Sequence, residues 1–95
     1  MIKKTFTLVA RVSTENSPAV RRALGELVPR GSITPTDEGF LVKAKLSGES
    51  ARELNRRLLS ALRRVERKTR LRAEWMSGGT VEHFFDYVPK GSRKA

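Results

Sequence analysis

Alternating apolar and polar residues predict three strands in this chain. Over residues 3–12, 40–46 and 70–75, an apolar side chain occupies every second position, which is the period of a half-buried β-strand. Each of these strands would therefore bury one face and expose the other. The apolar positions are Phe6, Leu8, Ala10, Val12, Phe40, Val42, Ala44, Leu46, Leu71, Ala73 and Trp75.

Two further stretches repeat apolar residues at the spacing of an α-helix. Residues 17–28 open with Ser17 as the N-cap and Pro18 at the first helical position, where the missing N–H costs nothing. Residues 51–68 follow a serine cap and carry a leucine stripe, so that one face of the helix is apolar. We predict one helix over each stretch.

Weaker signals indicate two more strands and a tail. Residues 32–36 contain Pro35, which cannot donate a hydrogen bond to a neighbouring strand and so belongs at a sheet edge. A Gly-Gly pair at 78–79 is typical of a two-residue turn, so residues 80–88 should fold back as the second strand of a hairpin. Residues 89–95 are polar and basic and should form a flexible tail.

The order of these elements predicts a single α+β domain over residues 1–88. We expect a ferredoxin-like βαββαβ arrangement, in which an antiparallel sheet carries both helices on one face and a C-terminal β-hairpin extends the sheet. The strand with Pro35 would form one edge. The opposite edge would be covered by the last strand or would pair with a second subunit, and we expect a homodimer.

Composition limits the chemistry that the chain can support. A chain of 95 residues buries one modest core, so we expect no cavity for a cofactor. Without cysteine and with His83 as the one histidine, disulfides and the usual metal centres lack their ligands. No apolar run is long enough to span a membrane, so a cytoplasmic protein is expected. The absence of glutamine, beside abundant Arg and Glu, is typical of hot-adapted organisms.

Charge points to a polyanionic partner. The chain has 20 Lys and Arg against 10 Asp and Glu, a formal net charge of +10. Such a field attracts nucleic acid first and an anionic membrane second. A membrane is disfavoured, because the apolar stripe of the second helix is needed for the core. RNA or DNA is therefore the expected partner.

Strand alternation sends a set of cations to the sheet face opposite the helices. The Gly-Gly turn would also pair Arg72 with Phe85 and Arg70 with Tyr87, which places two aromatic rings on that face. Cations that contact phosphates and rings that stack on bases are what single-stranded nucleic acid requires. Two alternatives to nucleic-acid binding remain. The rings could belong to the core or to a dimer contact, and the cations could simply form a solvated face. The predicted binding residues are Arg11, Lys43, Lys45, Arg70, Arg72, Phe85 and Tyr87.

The second helix offers an alternative basic surface opposite its leucine stripe. This surface would contact a protein or structured RNA. It would otherwise serve only to solvate the helix, with Glu53 pairing with Arg57 one turn later. Its members are Arg52, Arg56, Arg63 and Arg67.

The sequence contains few residues that could support catalysis. His83 lies between Glu82 and Phe84 and close to Asp86, so a histidine–carboxylate pair is conceivable. No nucleophile or oxyanion site accompanies it, and no phosphate-binding loop motif occurs. We therefore expect no enzyme activity and assign no catalytic or metal-binding residue.

Residues 40–62, FLVKAKLSGESARELNRRLLSAL, combine an alternating strand, a short polar break and a helix with Leu54, Leu58 and Leu62 four residues apart. In this pattern the chain resembles the small dimerising subunit of the archaeal KEOPS complex, which makes threonylcarbamoyladenosine on tRNA. The resemblance implies a non-catalytic accessory subunit that dimerises, docks on an ATP-using catalytic subunit and helps to engage tRNA. It also implies that the three leucines lie on the packing face of the helix.

Residues 27–32, LVPRGS, match letter for letter the thrombin-cleavage sequence used in expression vectors. Here they would form the end of the first helix and a loop to the next strand. Natural coincidence and deliberate loop replacement both fit the sequence, so these residues carry no functional inference.

Overall fold

The structure is a computed structural model that describes residues 4–94, with side chains described for residues 4–91. Within these residues the chain forms two α-helices and six β-strands. In chain order they are β1 (Lys4–Ser13), α1 (Ser17–Leu27), β2 (Ser32–Pro35), β3 (Gly39–Gly48), α2 (Ala51–Val65), β4 (Arg70–Ser77), β5 (Thr80–Phe85) and β6 (Val88–Lys94). Residues 1–3 and 95, at the ends of the predicted domain and tail, lie outside the described part.

The six strands join in one antiparallel sheet in the order β2-β3-β1-β4-β5-β6. The fold is therefore α+β, with β1 between β3 and β4 near the middle of the sheet. β2 is an edge strand, as its Pro35 predicts, and β6 is the other edge. β6 also contains a proline, Pro89, and pairs irregularly with β5 because of a bulge between His83 and Phe84.

One hydrophobic core lies between the sheet and the two helices. Alternate strand residues such as Phe6, Leu8 and Trp75 pack with Leu24 of α1 and Leu59 of α2. The rings of Phe6 and Trp75 meet edge to face, with centroids 6.4 Å apart. Because the strand residues in this core point to one side of the sheet, both helices cover that side and leave the other side bare.

The loop between α1 and β2 is part of this packing. Val28 is buried, and its N–H donates to the carbonyl of Leu24 at 2.8 Å. Gly31 lies so close to Lys43 and Ala44 that a Cβ atom there would come within 3.0 Å of each. The residues that match a protease site therefore connect α1 to the sheet through specific contacts.

Both helices differ from the predicted bounds at one end. Asn16, rather than Ser17, caps α1 by accepting the N–H of Ala19 at 3.4 Å. α2 ends at Val65 instead of residue 68, because Glu66 has an extended backbone and its carbonyl accepts the N–H of the buried Thr69 at 3.1 Å. The resulting turn leads directly into β4.

The prediction of one strand over residues 80–88 was wrong, because the chain reverses at Asp86. Asp86 has a positive φ of 53°, a conformation that aspartate tolerates better than most residues. Its backbone N–H donates to the carbonyl of Leu71 at 2.7 Å, and its Oδ1 accepts the N–H of Leu71 at 3.0 Å. In place of the expected tail, residues 88–94 form β6 beside β5.

A buried asparagine links α2 to β4 and to this turn. The side chain of Asn55 is almost fully buried, although it lies on a helix whose buried face is otherwise leucine and alanine. Its Oδ1 accepts the indole N–H of Trp75 at 3.1 Å, and its Nδ2 donates to the carbonyl of Asp86 at 2.7 Å. Asn55 therefore pairs with the buried indole N–H of Trp75 and with the part-buried carbonyl of Asp86.

Asn55→Ala should lower the free energy of unfolding by about 2–4 kcal/mol, because two polar groups lose their partners and a cavity forms. Urea unfolding followed by the fluorescence of Trp75 measures this loss. Ser60→Ala is the matched control, since it removes an exposed hydrogen bond between α2 and Tyr87. We expect the control to cost less than about 1 kcal/mol. Equal losses in the two variants would contradict a special role for Asn55.

Candidate nucleic-acid interface

The bare side of the sheet carries the basic residues that strand alternation predicts for it. On β4 the exposed Arg70 and Arg72 alternate with the buried Leu71 and Ala73, and the same alternation holds around Arg11 on β1. We call this side the open face. Its predicted members are Arg11, Lys43, Lys45, Arg70, Arg72 and Phe85.

Two arginines stand directly opposite each other at the centre of the open face. Arg11 on β1 pairs in register with Arg72 on β4, and Arg72 pairs with Phe85 on β5, as predicted from the Gly-Gly turn. Among the residues whose side chains are described, neither Arg11 nor Arg72 forms an ion pair. Like charges opposite each other in a sheet are destabilising, so this pair is a cost to the folded protein.

The ring of Phe85 lies among cations. The guanidinium of Arg72 is 4.8 Å from the ring centroid, and the ammonium of Lys90 is 5.6 Å from it. The residue is 44% exposed, so its ring remains accessible to a ligand. Lys90 was not among the predicted residues, because its place beside Phe85 depends on β6 and on the bulge, which no local pattern indicates.

A second row of side chains crosses the open face beside the arginine pair. Lys43 on β3 pairs with Val9 on β1, which pairs with Glu74 on β4 and then with His83 on β5. The Nδ1 atom of His83 lies 3.4 Å from a carboxylate oxygen of Glu74. The carboxylate beside His83 is therefore across the hairpin. Its sequence neighbour Glu82 lies on the helix side, opposite Trp75.

The two rows line one shallow depression of about 470 Å³. Its size falls within the range of small-ligand sites in proteins. Sequence alternation alone could have placed Glu74 here, because it shares a face with Arg70 and Arg72. The charged, imidazole and aromatic side chains that line it are Arg11, Lys43, Arg72, Glu74, His83 and Phe85.

The prediction that Tyr87 lies on the open face opposite Arg70 was wrong. Its hydroxyl shares a hydrogen bond of 3.1 Å with Ser60 on α2, and the guanidinium of Arg63 is 5.2 Å from its ring. Tyr87 therefore lies on the helix side. The cause is the reversal at Asp86, since the predicted pairing assumed a continuous strand. Arg70 itself forms an ion pair with Asp86 at 3.3 Å, at the end of the open face.

The four arginines predicted for the outer surface of the second helix do not form one free surface. Arg63 donates from Nε to the carbonyl of Thr69 at 3.0 Å and lies 3.5 Å from Asp86, so contacts at the end of α2 occupy it. Arg67 lies beyond the end of α2, in the turn before β4. Arg52 and Arg56 remain exposed on the first half of α2.

Comparison with protein-family models, with curated proteins and with solved structures found no match to this chain. Within residues 4–94, no helix has the length and apolar character needed to cross a membrane. The same residues contain no group of three or more His, Asp or Glu side chains that could hold a metal ion. The geometry of the open face is therefore the basis for assigning a function.

Removing one of the two opposed arginines should stabilise the free protein. For Arg11→Thr we expect the free energy of unfolding to rise by about 0.2–1 kcal/mol at low salt. The gain should shrink as salt screens the repulsion, and thermal unfolding at two salt concentrations measures it. Lys45→Thr is the matched control, since Lys45 faces Thr7 rather than a cation. A similar gain in both variants would show that net charge, and not the pair, sets the effect.

Proposed function

We propose that the protein is a non-enzymatic nucleic-acid-binding domain that takes a single strand, RNA in preference to DNA, across its open face. The observation that carries this proposal is the Arg11–Arg72 pair beside Phe85. Two opposed cations destabilise the free sheet, whereas a bound phosphate between them would turn their repulsion into shared attraction. The binding residues would be Arg11, Lys43, Lys45, Arg70, Arg72 and Phe85, joined by Lys90.

The proposal also depends on Phe85, which would stack on a base. An exposed ring offers a flat surface on which any base can stack, and the cations around it would meet the phosphates on either side of that base. Arg72 and Lys90 already contact the ring, so they are held close to where those phosphates would lie. Stacking together with charge is the combination used for single strands, because duplex bases are not accessible to a ring.

We further propose that the first four strands and the two helices form a ferredoxin-like domain. Their spatial order, β4-β1-β3-β2, together with both helices on one side of an antiparallel sheet, supports this proposal. The hairpin partner β5 and the edge strand β6 then extend the sheet past β4 and add Phe85 and Lys90 to its open face.

A second candidate is an accessory, protein-docking subunit of a tRNA-modification or ribosomal assembly, such as the KEOPS complex. The observation that favours it is on the helix side, where the exposed Arg52 and Arg56 line a depression of about 270 Å³ with Tyr87. A partner with an acidic surface would fit there and leave the open face free for RNA. A homodimer would also use this side more readily than the sheet edges, which carry Pro35 and Pro89.

Binding to single-stranded RNA should weaken steeply with salt. Each phosphate contact on a single strand changes the slope of log K against log salt by about −0.7. The double variant Arg11→Ala, Arg72→Ala should therefore weaken binding and make the slope shallower by roughly 1.4. Fluorescence anisotropy with a labelled oligonucleotide across a salt series measures both quantities, with tRNA and duplex DNA as competing ligands.

The matched control for this experiment is the double variant Arg52→Ala, Arg56→Ala, which removes the same charge from α2. It should keep the wild-type slope, because those side chains are on the helix side. Loss of binding in this variant alone would move the nucleic acid to the surface of α2. No binding of any nucleic acid at low salt would contradict the proposed function.

Replacing Phe85 should weaken binding without changing its salt dependence. Phe85→Leu keeps an apolar side chain but removes the flat ring, so we expect the loss of one base stack, about 1–3 kcal/mol of binding free energy. Tyr87→Leu is the matched control, since Tyr87 is 41% exposed on the other side of the same hairpin. Equal affinity of the two variants would exclude Phe85 as a stacking surface.

A further inference from the structure

The depression on the open face contains a carboxylate among its cations. Glu74 is the one acid among the described residues that line this depression. It lies two residues after Arg72 on β4, and its side chain is 51% exposed. A negative charge at this place repels phosphate, so Glu74 weakens the attraction that the surrounding arginines provide.

Among the described residues, no ion pair with an arginine or a lysine accounts for the position of Glu74. Its contact is with His83, at 3.4 Å and with the carboxylate half exposed. Exposed pairs of this kind contribute between about 0 and 1 kcal/mol to folding. A carboxylate that weakens phosphate binding and contributes little to folding is better explained by a contact with a ligand group that donates hydrogen bonds.

The bases of a nucleic acid differ in what they can donate to a carboxylate, which only accepts hydrogen bonds. On its Watson–Crick edge, guanine carries an N–H and an amino group side by side, so it can donate to both carboxylate oxygens. Adenine and cytosine place an acceptor nitrogen beside their amino group, and uracil places a carbonyl on each side of its N–H. Guanine therefore fits a carboxylate through two charge-assisted hydrogen bonds, and the other bases bring an acceptor against it.

The register of the hairpin puts Glu74 within reach of a base on Phe85. Because Arg72 pairs with Phe85 and Glu74 pairs with His83, Glu74 and Phe85 are diagonal neighbours across two strands. Such neighbours are about 7–8 Å apart, a distance that a stacked base covers. His83 lies directly opposite Glu74 on β5, two residues before Phe85, and its contact of 3.4 Å helps to orient the carboxylate.

We propose that Glu74 is a specificity-determining residue that selects guanine at the position stacked on Phe85. This inference rests on the proposed function and adds the class of base that the single strand must present. Arg11 and Arg72 would share the phosphate on one side of that base and Lys90 would meet the phosphate on the other side, while Glu74 would contact the edge of the base.

Eight-nucleotide RNAs that differ in one central base, with uracil elsewhere, test this proposal. Fluorescence anisotropy at fixed low salt should show the wild-type protein binding the RNA with central guanine about tenfold more tightly than the one with central uracil. Glu74→Gln should bring this ratio close to one, because the amide presents only one acceptor oxygen. The same variant should bind the all-uracil RNA more tightly than the wild type does.

The matched control is Glu82→Gln, which removes the same charge from the neighbouring strand on the helix side of the sheet. It should keep the tenfold preference, and thermal unfolding should show both variants folded. Equal binding of the four RNAs by the wild type, or a preference that survives Glu74→Gln, would overturn the assignment of Glu74 and leave the proposed function standing. Absence of binding to every RNA would overturn the proposed function and this inference with it.

A competition with free nucleotide distinguishes a strand from a mononucleotide as the source of the guanine. Guanosine monophosphate lacks the flanking phosphates. The concentration of it that displaces half of the labelled RNA should therefore be at least a hundredfold higher than the concentration of unlabelled RNA that does the same. Displacement at equal concentrations would overturn the assignment to a single strand.

Discussion

The hydrogen bonds of Asn55 hold together the parts on which the open face depends. One side chain connects the indole of Trp75, at the centre of the core, with the backbone of Asp86, at the reversal between β5 and β6. In a buried setting such bonds are strong, and leaving their partners unpaired is costly. The position of the last hairpin relative to α2 is therefore fixed by a specific polar contact as well as by apolar packing, and Phe85 immediately precedes that reversal.

The core and the proposed binding surface share the same strands. On β4, buried Leu71, Ala73 and Trp75 alternate with exposed Arg72 and Glu74, so each of these two open-face residues has core residues on either side of it in the chain. The backbone of such a strand cannot shift without disturbing the core, which is close-packed. The helix-side arginines differ, because Arg63 already has partners in Thr69 and Asp86.

The parts of this arrangement that follow from local pattern could be predicted. Period-two alternation located β1, β3 and β4 and placed Arg11, Lys43 and Arg72 on one face, and the Gly-Gly turn set Arg72 opposite Phe85. These results need only neighbouring residues in the chain. The same alternation included Glu74, whose significance depends on the residues that surround it in three dimensions.

The parts that were mispredicted depend on contacts between distant residues. The run from Thr80 to Val88 is rich in residues that favour strands, and nothing within it marks Asp86 as a reversal. That reversal requires the backbone of Leu71 and the amide of Asn55, which are 15 and 31 residues away in the chain. Because of this reversal, Tyr87 lies on the helix side, and residues 88–94 form β6 instead of the predicted tail. The end of α2 likewise depends on Arg63 reaching past it to the carbonyl of Thr69.

Prolines on both edge strands have a consequence for the protein at high local concentration. A sheet edge offers unpaired backbone groups to any other strand, and a long nucleic acid would bring many copies of a basic protein close together. Pro35 on β2 and Pro89 on β6 each remove a donor from an edge, and the bulge between His83 and Phe84 makes the pairing of β6 irregular. Copies crowded along one polymer are thereby hindered from joining their sheets into an aggregate.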